Sequence, residues 1–251
     1  MEIYDSHLHL GQVLDLNKSF SNLINNCKLA QVKGGLIISM QSDPWDFQRV
    51  SELIGLEASF KFAMNPDLSL SREQLKSLIK KGKSLGFAAL KIHPRLQKVN
   101  LQSNTVRVLV KLAEEFDLPI IICAFDDGSW SRIGMTNSQF INLADDFPGV
   151  QFLWAHAGGH RVLDFMFMAR RVPNVFLDTS FTQSYFFKGR ILEDLNYATE
   201  SLSTRFMFGT DFENNNYSES VFELKKYYLQ QNGNRNAFFK ENFKAFLGIN
   251  D

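Results

Sequence analysis

The stretch Phe152-Leu153-Trp154-Ala155-His156-Ala157-Gly158-Gly159 carries the plan of the chain in one piece. Its first residues are apolar without alternation, as in a strand buried on both faces. A histidine stands where the strand ends. The glycines beyond it permit close approach of the backbone to a ligand. Working outward, the same unit recurs at Ile3–His9, Gly35–Met40, Lys61–Met64, Ala88–His93, Pro119–Ala124, Val150–His156, Asn174–Thr179 and Arg205–Asp211. Amphipathic stretches fill the intervals. Ser71 and Gln74 fit a capping box, followed by Leu75, Leu78 and Ile79 at helical spacing. Asn104 is placed to cap a helix carrying Val108, Leu109 and Leu112. Glu219–Leu229 and Asn236–Leu247 read as helices, the last of them stopped by Gly248.

Alternating strands and helices imply parallel strands joined by right-handed crossovers. A chain of 251 residues divided among eight strands gives about 31 residues per unit, the size of a βα repeat. The expected fold is therefore α/β, a (β/α)8 barrel forming a single domain over residues 1–251. An open doubly wound sheet is the alternative, but the Gly-rich phosphate fingerprint after its first strand is missing.

Composition narrows the function classes. Lys plus Arg and Asp plus Glu are both 27, so the formal net charge is zero. That argues against a nucleic-acid or anionic-membrane partner, which calls for a basic surface. No apolar run approaches the roughly 20 residues of a membrane helix. The two cysteines, Cys27 and Cys123, form no C-x-x-C pair, which fits a reducing compartment. Met1–Asp5 has neither the basic nor the apolar region of a signal peptide. A soluble, cytoplasmic protein acting on a small-molecule substrate is expected, and a homodimer is left open.

The polar residues of the strands gather near their C-terminal ends: His7, His9, Lys91, His93, Cys123, His156, Asp178 and Asp211. In a barrel those ends share one rim, where active sites are built. Asp5, His7 and His9 are spaced by two and so should share a side of the first strand, with Asp5 one pleat deeper. Two imidazoles at that spacing can converge on one divalent ion. Asp211 reads as a metal ligand and proton acceptor, or as an N-cap of the next segment. His156 reads as a ligand or as a group polarising a substrate carbonyl. Lys91 and His93 share a strand face. Lys91 pairs with an inward carboxylate such as Asp178 or becomes a carbamylated metal bridge. His93, Lys91, Asp178 and His160 are candidates for substrate contact, although His160 opens the next helix and could simply be solvated.

Taken in order, these residues resemble the metal-dependent amidohydrolase superfamily. The likeness is to the branch of amino-carboxymuconate-semialdehyde decarboxylase and the pyrone-dicarboxylate lactonases. It runs from Tyr4-Asp5-Ser6-His7-Leu8-His9 through Gly86–Pro94 and His156-Ala157-Gly158-Gly159 to Phe208-Gly209-Thr210-Asp211, and it ends on the closing helix Glu241–Gly248. The resemblance implies one divalent metal, zinc before others, with ligands at His7, His9 and Asp211. It places the family's strand-six histidine at His156. Where the family carries a strand-five histidine ligand, Leu118-Pro119-Ile120-Ile121-Ile122 leads to Cys123. A thiolate there is a competent zinc ligand; a small buried hydrophobe is the other reading. Phosphoesterases that also begin with D-x-H-x-H fit less well, since their late Asp-x-His is missing, and so do nucleases with a strand-four Glu, where this chain has Lys91.

The expected function is metal-dependent hydrolysis of a small-molecule amide, ester or lactone, with decarboxylation as a variant on the same site. Asp211 would accept the water's proton and His156 would stabilise the oxyanion. The alternative is a catalytically impaired barrel that binds a ligand or partner, having lost the strand-five histidine to Cys123.

Overall fold

The strands that the apolar runs predict all form. In the computed structural model they are β1 (Tyr4–Leu8), β2 (Gly34–Ile38), β3 (Phe60–Met64), β4 (Phe87–Ile92), β5 (Ile120–Cys123), β6 (Phe152–Ala155), β7 (Val175–Asp178) and β8 (Phe206–Met207). The structure describes residues 1–10, 15–40, 45–187, 189–211, 221, 223–225, 227–228 and 234–249. Neighbouring strands pair in parallel, in the order of the sequence. Main-chain bonds from Ser6 N–H to the Phe208 carbonyl and from Asp211 N–H to the His7 carbonyl, each 2.9 Å, join β8 to β1. The result is a (β/α)8 barrel in a single domain.

The unbroken apolar runs have a simple cause. Alternate strand residues face opposite ways, and both directions are buried. Along β2, Ile37 packs outward in the large cluster with helix residues such as Leu23 and Leu53. Its neighbours Leu36 and Ile38 belong to a second cluster with Ala63, Ile121, Leu153 and Met207. That inner cluster is closed from the N-terminal end by the final helix, Asn242–Leu247. Phe243 stacks on Tyr4 at 5.2 Å, and Phe246 meets Phe176 edge-on at 5.7 Å. Asn242 Nδ2 donates to the Ser203 and Phe206 carbonyls at 2.9 and 2.7 Å. The bottom of the barrel is therefore sealed, which leaves the C-terminal rim as its open end.

Helix punctuation follows the sequence with one shift. The Ser71–Gln74 capping box is present. The helix Asn104–Glu115 is capped by Ser103 rather than Asn104, because Ser103 holds the extended backbone and its Oγ accepts from Val106 N–H. Of Glu219–Leu229, residues 221, 223–225 and 227–228 are helical, and the two end residues lie outside the described ones. Among the described residues no helix is long and apolar enough to cross a membrane.

The last strand is much shorter than its apolar run. Past Met207 the Phe208 N–H goes to the Phe238 carbonyl at 3.0 Å, and Asp5 holds Thr210: its Oδ1 accepts from Thr210 N–H at 3.0 Å and its Oδ2 from Thr210 Oγ1 at 2.7 Å. Asp211 follows in a left-handed conformation, φ 65°.

Candidate metal centre

The first strand delivers its histidines through an irregularity. Its register against β2 slips between Asp5 and Leu8. Such a bulge re-aims side chains. The consecutive Ser6 and His7 both reach Asp178 Oδ2, each at 3.3 Å, which regular alternation would forbid. Asp5 turns to Thr210 and to the His7 N–H, so it anchors the strand-eight loop instead of sitting in line beneath the histidines. His7 and His9 do converge. His7 Nε2 lies 3.1 Å and His9 Nε2 3.3 Å from Asp211 Oδ1.

Donor and acceptor bookkeeping fixes what these nitrogens present. A carbonyl oxygen can only accept, so His9 Nδ1, 2.9 Å from the Ile38 carbonyl, carries the proton. His7 Nδ1 faces the Asp178 carboxylate in the same sense. Both rings thus turn their Nε2 atoms toward Asp211. Burial, reinforced by Lys91, lowers His7 to about 3 against the pull of Asp211 and Asp178, so its ring is neutral at neutral pH. Burial raises Asp211, but His7, His156 and His9 outweigh it and hold that carboxyl well below the usual range. Three candidate donor atoms, two imidazole nitrogens and one carboxylate oxygen, thus lie within 4.8 Å of one another. Ligands about 2.0–2.1 Å from a tetrahedral zinc stand roughly 3.3 Å apart. The measured separations match that spacing, so these residues fit a divalent ion.

Asp178 was expected to touch substrate, but its wholly buried carboxylate does not line the cavity. It lies behind the histidines and accepts from Ser6 Oγ, His7 Nδ1, His156 N–H, Ser180 N–H and Ser180 Oγ. Burial raises its pKa, but the His7 hydrogen bond and charge prevail and lower it. An acceptor on the far nitrogen of a ligating histidine orients the ring and fixes its tautomer. Ser180, which sequence reading missed as a functional residue, sits between the two rings. Its Oγ is 2.9 Å from His156 Nδ1, 3.2 Å from His7 Nδ1 and 2.5 Å from Asp178 Oδ1. The only signal for it was its place two residues after a strand-end aspartate.

Lys91 is buried, and its Nζ points at His7 Nε2, 3.5 Å away. The ion pair with Asp178 weighed from the sequence therefore does not form. Burial lowers its pKa, opposed by Cys123, Asp211 and Asp178. His93 caps the short helix Pro94–Gln97, and its Nδ1 accepts from Leu96 N–H. Its Nε2 therefore carries the proton. Cys123, at the end of β5, lines the cavity with His93 and His156. It stands outside the group of three gathered donors. Burial raises the thiol's pKa, but these two imidazoles overcome it and hold Cys123 well below the ordinary range. Burial lowers His156, yet the Cys123 and Asp211 charges raise it to about 9. The remaining candidate, His160, stands exposed and does not line the cavity. It lies beyond the glycine turn, where the chain has already left the rim.

The cavity has a volume of about 220 Å³. His7, His9, Lys91, His93, Cys123, His156 and Asp211 form its polar part, and Met40, Arg95, Phe125 and Phe181 complete it. Its backbone is strained at several points. His156, Ala157, Phe181 and Asp211 all have positive φ, from 46° to 69°. Such residues cost about 1–3 kcal/mol each and cluster at functional sites. Gly159 is required for a further reason: a Cβ there would lie 2.7 Å from the Phe125 ring.

The family model described as amidohydrolase matches residues 57–249, more than half of the chain. The chain belongs to the amidohydrolase family. The matched stretch contains Lys91, His93, Cys123, His156, Asp178 and Asp211, while the amidohydrolase's first-strand histidines precede it. No curated protein matches the sequence. Solved structures share the fold at low identity. An uncharacterised TIM-barrel protein from Bordetella bronchiseptica is 14% identical with a TM-score of 0.78, covering 99% of both chains. A Burkholderia multivorans amidohydrolase with bound zinc is 13% identical with a TM-score of 0.71, covering 100% of both. A probable 2-pyrone-4,6-dicarboxylic acid hydrolase from Acinetobacter baumannii with citric acid bound is 11% identical with a TM-score of 0.68, covering 99% of this chain and 100% of that one. With its family and rim cavity, this amidohydrolase is an enzyme of the hydrolase or lyase kind.

Proposed function

We propose that this amidohydrolase hydrolyses a small-molecule amide, ester or lactone and uses one divalent metal, zinc before others, held by His7, His9 and Asp211. The convergence of two imidazole Nε2 atoms on one carboxylate oxygen carries this reading. A divalent ion held there supplies Lewis-acid polarisation of a carbonyl and a more acidic water. The chain's own groups supply the rest. Asp211, ionised and next to the cavity, accepts a proton from the attacking water and returns it to the leaving group. His156 presents its Nε2 side to the cavity, because its Nδ1–H is committed to the Ser180 carbonyl at 3.1 Å. A positive imidazole there stabilises an oxyanion as it develops. Lys91 places its amino group deep in the pocket.

Three protein donors with an open position is the pattern of a catalytic zinc site, so a histidine at position 123 is dispensable. The zinc-bound Burkholderia structure and the probable dicarboxylic acid hydrolase support the choice of metal and of carbonyl chemistry. Protein purified without chelator should turn over at least one member of a panel of lactones, esters and amides. Chelation should remove that activity and added zinc should restore it. Activity indifferent to chelation would count against the metal's role, and release of carbon dioxide without hydrolysis would move the reading to decarboxylation.

A further inference from the structure

Behind the cavity, one hydroxyl touches two of the rings that line it. Ser180 Oγ lies 2.9 Å from His156 Nδ1, 3.2 Å from His7 Nδ1 and 2.5 Å from Asp178 Oδ1. No part of Ser180 is exposed. Donors that cannot reverse fix the direction of each bond. Asp178 Oδ1 receives the main-chain N–H groups of His156 and Ser180 at 2.7 and 3.2 Å. It is therefore an acceptor, and the single hydrogen of the hydroxyl goes to it. Toward the two imidazoles Ser180 Oγ can then only accept, so each ring presents an Nδ1–H to it. One donation and two acceptances fill its capacity. The chain also makes room for the hydroxyl. A Cβ at Gly209 would lie 2.5 Å from Ser6 Oγ and 3.3 Å from Ser180 Cβ. Phe181, the next residue, takes a left-handed φ of 59°, and the Ser180 carbonyl accepts from Thr182 N–H at 2.6 Å. A serine kept only for its volume needs no such matching of donors and acceptors.

We infer that Ser180 is a positioning residue that fixes the His7 and His156 rings relative to each other, one at the metal site and the other at the substrate carbonyl. What the rings do rests on the proposed function; how they are held rests on the hydrogen bonds alone. The ring centroids stand 4.9 Å apart, with 35° between the planes. Both rings line the cavity, and both give their Nδ1 side to the same oxygen. Their Nε2 atoms are thereby turned away from Ser180. Without the hydroxyl each Nδ1–H keeps one other partner among the described residues. For His7 it is Asp178 Oδ2 at 3.3 Å, and for His156 the Ser180 carbonyl at 3.1 Å. The rings then keep their places in the fold but lose the atom that ties one to the other. Asp178 orients the metal ligand; Ser180 sets the distance from that ligand to the ring that meets the oxyanion. An outer partner of this kind tunes the ligand it supports.

The test compares Ser180→Ala with Ser180→Cys, which restores the volume but only a weak hydrogen-bonding group. If the alanine variant fails to fold, the cysteine variant carries every reading. Imidazole nitrogen–proton spectra of the chelated protein read the rings directly. The Nδ1–H signals of His7 and His156 should both shift and exchange faster with solvent in either variant. That of His9, held by the Ile38 carbonyl, should stay as in the wild type. Zinc competition should show an affinity lowered about tenfold or more. On a substrate from the ester, lactone and amide panel, kcat should fall about tenfold while KM stays within about twofold, since His156 acts on an oxyanion that forms after binding. Unchanged exchange at His7 and His156, or unchanged zinc affinity, would overturn the inference. So would Ser180→Cys behaving as the wild type, which would reduce Ser180 to packing. Spectra and zinc competition need no turnover. If nothing on the panel is hydrolysed, faster exchange at both rings with weakened zinc binding still upholds the positioning role, and the proposed function falls alone.

Discussion

Replacing His7 and His9 together by alanine removes the metal and with it the turnover that depends on it. Both Nε2 atoms lie within 3.3 Å of Asp211 Oδ1, so the double variant keeps one of three gathered donors. Four-ligand structural zinc sites bind with about 10–16 kcal/mol. Losing two of three protein donors should remove several kcal/mol, a drop in affinity of a thousandfold or more. The fold should survive, because both side chains sit at the open rim and the two apolar clusters that hold the barrel do not include them. Elemental analysis should find about one divalent ion per wild-type chain and background in the variant, with unchanged circular dichroism. Equal metal in both would refute the assignment.

Asp178→Ala should do two things at once. The wild-type carboxylate answers the donors of Ser6, His7, His156 and Ser180, at distances from 2.5 to 3.3 Å, with no exposure to water. Truncation leaves several of them buried and unmet. Breaking a buried ionic network costs about 3–5 kcal/mol. For a chain of this size that is roughly 6–20 °C in Tm. His7 also loses the acceptor that fixes its Nδ1–H tautomer, which should weaken metal binding about 10–100-fold. Urea unfolding of the chelated protein reads the first effect, and metal competition on the folded variant reads the second. Asp178 merely touching substrate would give neither: stability and metal affinity would stay as in the wild type while KM rose.

The fold was legible because barrel strands are buried on both faces. Runs such as Ile120–Cys123 and Phe152–Ala155 carry no polar alternation, and only a parallel sheet sheathed in helices accommodates eight of them. His7, His9, His156 and Asp211 were legible for a related reason. A charged or polar residue closing an apolar strand must find a partner, and in this topology all strand ends meet at one rim. What stayed hidden depends on tertiary partners far apart in sequence. The bulge in β1 exists because Asp5 is claimed by Thr210 and because Ser6 and His7 both reach Asp178, contacts that span most of the chain. Asp178 read as a substrate contact because its strand-end position is the same as that of Asp211. Only the structure shows it buried behind the rings. His160 was misplaced because the left-handed turn through Ala157-Gly158-Gly159 carries the chain away from the cavity within a few residues. Cys123 read equally as a ligand and as packing, because its sequence position does not show that it lies outside the group of three gathered donors.

The central claim is a metal held by His7, His9 and Asp211, with the sulfur of Cys123 elsewhere. X-ray absorption at the metal edge, on protein purified without chelator, tests it most directly. The account predicts a first shell of nitrogen and oxygen alone at about 2.0–2.1 Å, carrying the scattering of two imidazoles. A sulfur scatterer at about 2.3 Å, or a protein that takes up no metal at all, would contradict it.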